Sequence, residues 1–161
     1  MDELKNDSNE PLHALLGRAR RYCAEAEQCE HAVRQKLVTW GATPSEADRV
    51  VEALYNEEYI NDERYARAYC ESKILRQHWG RQKVLYQLRL KRLPRTAIDQ
   101  GLASVDDEAY RAVLADVADK KRAELQPRFA DDPDALRNKL TAFLVSRGFS
   151  LSEIAQTLDE K

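Results

Sequence analysis

The residue types that most often carry chemistry are sparse in this chain and poorly spaced for it. The three cysteines, Cys23, Cys29 and Cys70, make no Cys-x-x-Cys pair, and His13, His31 and His78 stand far apart. A structural zinc site takes four ligands, usually in two close pairs. Cys29 and His31 could be one such pair, but no second accompanies them, so packing or helix capping is the expected role of Cys29. A nucleophile needs a nearby base and a group to orient that base, and no motif supplies the set. There is no Gly-x-x-x-x-Gly-Lys-Ser/Thr phosphate loop, no Gly-rich dinucleotide turn and no paired carboxylates in a recognisable catalytic context. The expectation is a protein that is not an enzyme and uses no metal or cofactor.

What the chain concentrates is positive charge. Its formal net charge is −2, yet residues 64–95 carry ten cations and a single acid, Glu71. The flanks are acidic: residues 1–63 hold 7 cations against 14 acids, and residues 96–161 hold 9 against 13. One acid cannot neutralise ten cations through intrahelical pairs, so the segment tolerates self-repulsion in the absence of a partner. Arg64, Arg67, Lys73 and Arg76 are expected to face outward on one helix. Arg81, Lys83, Arg89, Lys91 and Arg92 continue the surface onto the next, with Arg95 beyond them. A phosphate backbone, through counterion release, or an acidic protein groove would complement such a face. Trp79, in the turn before Gly80, is the aromatic residue least explained by packing and joins the candidate contacts. Tyr65, Tyr69 and Tyr86 are expected to pack the core, although rings so placed can also stack on bases. Trp40 is expected to pack between repeats, and Tyr59 with Ile60 to seal a joint before Asn61.

The elements that position these residues are helices. Apolar residues recur at three- and four-residue spacing, and no stretch alternates long enough for a strand. Thr43-Pro44-Ser45-Glu46 and Ser150-Leu151-Ser152-Glu153 have the form of capping boxes, Pro44 suits the first helical position, and Asn61 and Asp132-Pro133 are further helix starts. The pattern predicts nine helices, at 12–26, 30–40, 44–57, 62–77, 80–91, 95–103, 106–125, 133–147 and 151–159.

These nine fall into three sets of three. A shift of 51 positions brings Val33 onto Val84, and a further 56 brings it onto Leu140. The same register superposes Leu37, Leu88 and Leu144; then Gly41, Arg92 and Gly148; then Ala47, Ile98 and Ile154; then Val51, Leu102 and Leu158. Four of these columns are apolar. The column with two glycines marks a helix end that needs positive φ. The predicted fold class is all-α: three tandem three-helix repeats resembling helix-turn-helix units, each around its own small core, in an elongated, curved body. The expected boundaries are a disordered N-terminal tail at 1–11, repeat 1 at 12–58, the basic repeat 2 at 59–104 and repeat 3 at 105–161. No apolar run approaches the roughly 20 residues of a membrane span, and the start "MDELKNDSNEPL" is too polar for a signal peptide. A cytoplasmic protein with no membrane partner is expected.

The central residues carry a family resemblance. Tyr59, Ile60, Asn61, Asp62, Arg64, Tyr65 and Ala66, followed by Gly80, Lys83, Val84 and Leu88, resemble the signature of the RecX family, bacterial regulators of the RecA recombinase. The ending "SRGFSLSEIAQTL" is similar to the family's last repeat. Two positions depart from the pattern: Lys91-Arg92-Leu93 stands where a Lys-Gly-Ile-like turn is usual, and Cys29 where a Ser or Thr cap is usual. The resemblance implies a monomer that lies in the groove of the RecA filament on DNA. It further implies inhibition of the filament's ATPase, strand-exchange and coprotease activities, and so modulation of DNA repair, recombination and the SOS response, with only weak binding to free single-stranded or duplex DNA. The alternative is an independent helix-turn-helix-like DNA-binding module, which would bind DNA alone with sequence preference and a steep salt dependence.

Overall fold

A computed structural model describes residues 10–160, and among them the chain is helical with no strand. Nine α-helices follow in order: α1 Glu10–Glu25, α2 Glu30–Thr39, α3 Pro44–Asn56, α4 Asp62–Cys70, α5 Arg81–Leu90, α6 Arg95–Ala103, α7 Asp107–Leu125, α8 Pro133–Ser146 and α9 Leu151–Asp159. A π-helical segment, Glu71–Arg76, prolongs α4, and a short 3-10 turn, Gln126–Arg128, follows α7. The expected tail lies outside the described residues up to residue 9, but α1 already runs through residues 10 and 11, so the helix starts ahead of the expected boundary.

Side-chain caps explain most of the helix starts. Thr43 and Ser150 each accept from the backbone N–H three residues on, while Glu46 and Glu153 reach back to the cap residue's own N–H; these are complete capping boxes. Asn61, Asp106 and Asp132 accept from the N–H groups of Arg64, Ala109 and Ala135. Cys29 holds the cap position of α2 but makes no side-chain cap bond. Its buried thiol packs instead.

The second helix of every unit ends in one way. Gly41 has φ 83°, Arg92 φ 60° and Gly148 φ 103°. The N–H of the following residue, Ala42, Leu93 or Phe149, returns to the carbonyl of Leu37, Leu88 or Leu144 respectively. This is the Schellman closure, which favours glycine at the left-handed residue. Arg92 adopts that conformation without being glycine, so the departure noted in the sequence is absorbed as backbone strain.

The repeat columns line the interior. Val33, Val84, Leu140, Leu37, Leu88 and Leu144 are at most 1% exposed, and Ala47, Ile98, Ile154, Val51 and Leu158 are buried beside them. Leu102 is half-buried. The expectation of one core per unit is corrected, however. The first unit has its own core around Leu37, Val50, Leu54 and Ile60. The second and third share a single core in which Ile74, Val84 and Leu88 join Leu114, Leu144 and Phe149.

The fusion of units two and three has a local cause in bare backbone. Gly80 donates to the Arg147 carbonyl at 2.8 Å and Gln82 to the Gly148 carbonyl at 3.0 Å. A Cβ on Gly80 would stand 2.1 Å from the Gly148 carbonyl carbon, so glycine at 80 is what lets the two chains meet. The Tyr110 hydroxyl, on α7, accepts from Arg81 N–H at 3.0 Å and donates to Glu153 at 2.8 Å. Through it the start of α5 is tied to the capping box of α9.

Unit one is attached more lightly. Cys29, with Ala32 beside it, reaches into the larger core, Tyr55 donates to Asp62 at 2.9 Å, and Arg64 spans to Glu27 at 2.5 Å. Trp40 does not pack between repeats as expected. It packs within unit one, edge-on to Tyr22 of α1 at 6.3 Å. Ile60 is 1% exposed in the first core with Tyr59 against it, so the joint lies just beyond them.

Candidate interaction surface

The site begins where α4 changes pitch. After Cys70 the helix widens to i→i+5 bonding, closed by Gln77 N–H on the Ser72 carbonyl at 3.1 Å. His78 then turns left-handed at φ 59°, and Trp79 N–H reaches back to the Lys73 carbonyl at 2.8 Å. Wide turns of this kind redirect the side chains beyond them. Here the redirection sets the Trp79 ring beside Lys73, whose Nζ lies 4.7 Å from the ring centroid, while Lys83 of α5 approaches the same ring at 4.3 Å. Lys73 also lies 5.5 Å from the Tyr69 ring, and Lys91 reaches that ring at 5.7 Å. Tyr65 stacks under Tyr69 at 5.9 Å with 25° between planes. The outcome is a ladder running Lys91, Tyr69, Lys73, Trp79, Lys83, in which every ammonium has an aromatic neighbour. Such contacts are worth about 0.5–1 kcal/mol each in exposed positions; they hold the lysines in place and leave their charge unneutralised.

The sequence-nominated residues divide into two groups. Arg67, Arg76, Arg89 and Arg92 are exposed, and like Lys73, Lys83 and Lys91 they make no ion pair among the described residues. Arg64 and Arg81 are committed elsewhere. Arg64 does not simply face outward: it pairs with Glu27 and donates to the carbonyls of Glu58 and Tyr59. Arg81 pairs with Asp107 at 2.6 Å and lies 3.9 Å above the Tyr110 ring. The Arg81 guanidinium holds the Asp107 carboxyl below the usual range. Arg95 faces Asp99 one turn on at 3.8 Å. Trp79 is half-buried against the shared core and flanked by two lysines, so it belongs at once to packing and to the charged surface.

Tyr86, expected in the core, is instead 60% exposed, and Leu90, one turn further on, is 54% exposed. Both rise beside Lys83 at three- and four-residue spacing, adding apolar area to the charged face. Tyr65 is buried, and Tyr69 is half-buried against the same core. Cys29 and His31 assemble no centre: the thiol is 2% exposed, and the His31 ring contacts Gln35 at 3.2 Å. Among the described residues no three His, Cys, Asp or Glu side chains gather where they could hold a metal ion, and no helix is long and apolar enough to cross a membrane. Burial pushes the Cys23 thiol up to about 11 and the Cys70 thiol up to about 12, far from the reactive range of a nucleophilic thiolate.

This geometry defines an all-α protein of tandem three-helix units, with a cluster of cations on the middle unit that make no ion pair among the described residues. Family comparison then specifies the family. The RecX second three-helix domain matches residues 61–102, and the RecX third three-helix domain matches residues 108–158. A regulatory protein RecX from Prosthecochloris aestuarii is 30% identical over 153 residues, which cover 95% of this chain and 97% of that one. Those from Clostridium tetani and Clostridium acetobutylicum are 28% and 31% identical, each over 89% of this chain. The chain spans 65% and 66% of the lengths of these two clostridial relatives. The crystal structure of RecX from Lactobacillus salivarius superposes with a TM-score of 0.81 at 20% identity, over 92% of this chain and 95% of that one. A second crystal structure, of regulatory protein RecX, superposes with a TM-score of 0.82, also at 20% identity, over 95% of this chain and 75% of that one. The chain belongs to the RecX family.

Proposed function

We propose that this chain is a non-enzymatic regulator that lies on a RecA filament, in its groove, and restrains the filament's ATPase, strand-exchange and coprotease activities. The observation that carries the reading is the face of the second unit. Seven cations there, Arg67, Lys73, Arg76, Lys83, Arg89, Lys91 and Arg92, make no ion pair among the described residues, and two half-buried rings hold three of them in place. Desolvating a fixed cation against a phosphate or carboxylate costs less ordering entropy than recruiting a free one. Fields of one sign also steer encounter with an oppositely charged fibre. Family membership supports RecA as the partner, and a tandem helical array suits contact along a filament.

The test is RecA ATPase on single-stranded DNA with increasing amounts of this protein. Inhibition at amounts below one protein per RecA is the expected result. The triple variant Arg67→Glu, Lys83→Glu, Arg89→Glu should weaken it at least tenfold, since each lost charge contact is worth about 1 kcal/mol or more. Arg81 stays untouched because it holds Asp107 and Tyr110. If the wild type leaves the ATPase unchanged, the reading is wrong; if the variant inhibits equally, the face assigned here is wrong.

A further inference from the structure

The first unit contains a basic run that its acidic total conceals. Residues 11–24 include Arg18, Arg20 and Arg21 and no acid. Arg20 is bound to Glu57, but Arg18 lies over the Trp40 ring at 4.4 Å. Tyr22 meets the same indole at 6.3 Å and 87°, and Lys36 approaches the Tyr22 ring at 5.6 Å. Among the described residues neither Arg18 nor Lys36 makes an ion pair. Several of the unit's acids are occupied elsewhere: Glu27 on Arg64, Glu30 and Asp48 on Arg34, Glu46 in its capping box and Glu57 on Arg20.

The position of this cluster is an independent observation. The repeat register places the core residues Ala19 and Cys23 of α1 on Cys70 and Ile74 of the second unit, and all four are buried. The same register places Arg18 on Tyr69, Tyr22 on Lys73 and Trp40 on Lys91. Three equivalent places therefore build a cation–aromatic cluster twice, with ring and charge exchanged between them. The third unit does not repeat the cluster in that register. A further 56 positions puts Leu125, Phe129 and Arg147 at these places; Leu125 is buried in the core, and Arg147 is spent on the carbonyls of Gln77 and His78. The unit's cation–aromatic contacts, Lys121 over Phe143 at 4.4 Å and Arg128 near Phe129 at 5.9 Å, pair other residues.

We propose that Arg18, Tyr22, Lys36 and Trp40 form a second nucleic-acid contact, which takes the same single strand as the Tyr69–Lys73–Trp79–Lys83 ladder, one unit further along the array. The inference rests on the polyanion-binding part of the proposed function. Half-buried rings bearing loosely held cations suit a single strand, whose bases have free faces to stack and whose phosphates take the charges; a duplex offers only the phosphates. Equivalent placement on successive units matches a polymer that repeats its own charge.

The chain has two tryptophans, Trp40 and Trp79, one in each cluster, so each cluster has its own fluorophore. Trp79→Phe leaves Trp40 as reporter, and Trp40→Phe leaves Trp79. Each variant is titrated at low salt with oligothymidylates of about 8 and about 30 nucleotides, lengths around and beyond a single contact site. The long strand should quench both reporters with one midpoint. Arg18→Ala with Lys36→Ala should abolish the Trp40 response and, read at Trp79, lower the slope of log K against log salt by about 1.4 for two lost phosphate contacts. Urea midpoints confirm that the variants fold. A responsive Trp79 beside a silent Trp40, or an unchanged slope, overturns the inference. If both tryptophans are silent while RecA inhibition persists, the second contact is overturned and the filament reading stands. If both respond without inhibition, the filament reading falls and the contact stands.

Discussion

At the scale of the residue, Arg92 is the most revealing side chain. Its φ of 60° repeats what Gly41 and Gly148 do in the other units, and a Cβ in the left-handed region costs roughly 1–2 kcal/mol. Arg92→Gly should therefore stabilise the protein by about 0.5–1 kcal/mol, the strain relieved less the extra freedom of the unfolded glycine. Gly41→Ala, which meets no neighbour within 4 Å but carries the same φ, should destabilise it by about 1 kcal/mol. Urea denaturation of both variants reads the two signs. The column of Gly41, Arg92 and Gly148 was legible in the sequence because local backbone closure leaves a local trace. The fates of Arg64 and Arg81 were not. Their partners, Glu27 and Asp107, stand 37 and 26 positions away, and charge counting over a window cannot register so remote a pair.

At the scale of the element, the helix starts were legible because capping is written within four residues, as in Thr43 to Glu46 and Ser150 to Glu153. The π-helical widening after Cys70 was not, since Glu71–Arg76 has ordinary helix-forming residues and nothing in their order marks the change of bonding. The seam between α5 and the end of α8 was likewise invisible, because Gly80 reads as a common helix cap until its approach to Gly148 is seen. Gly80→Ala should cost about 3 kcal/mol, since backbone on both sides cannot yield. Tyr110→Phe should cost about 1–2 kcal/mol by leaving the partly buried Arg81 N–H without its acceptor. Chemical denaturation measures both, and hydrogen exchange in α5 and α9 should rise together in the Tyr110 variant.

At the scale of the whole molecule, the three-unit plan was legible and its partition into two cores was not, because burial patterns mark which residues go inside without saying whose interior they share. Two cores imply two unfolding units. Leu37→Ala should remove about 2–5 kcal/mol from the first unit alone, and Leu144→Ala a similar amount from the fused pair; hydrogen exchange followed by mass spectrometry separates them. Alkali tests both at once. Burial raises the Cys23 and Cys70 thiols to about 11 and about 12 and pushes the Tyr55, Tyr65 and Tyr110 hydroxyls upward as well. The unfolded chain releases these protons first, near pH 8.5 for the thiols and 10 for the phenols. Stability should thus be full below about pH 8 and fall above it by about 1.4 kcal/mol per pH unit for each group titrating only in the unfolded state. Urea midpoints from pH 7 to 10 give the profile, and Cys23→Ala with Cys70→Ala should flatten its first part.

The slender attachment of the first unit has a mechanical meaning. Two small side chains, Cys29 and Ala32, make the apolar link to the larger body, and the remaining ties are polar bonds at a few points. Bending at this wrist leaves the first unit's own interior around Leu37 and Leu54 intact but must draw Cys29 and Ala32 from the larger core and break the Tyr55–Asp62 and Arg64–Glu27 ties, so the posture of the first unit hangs on a handful of named contacts.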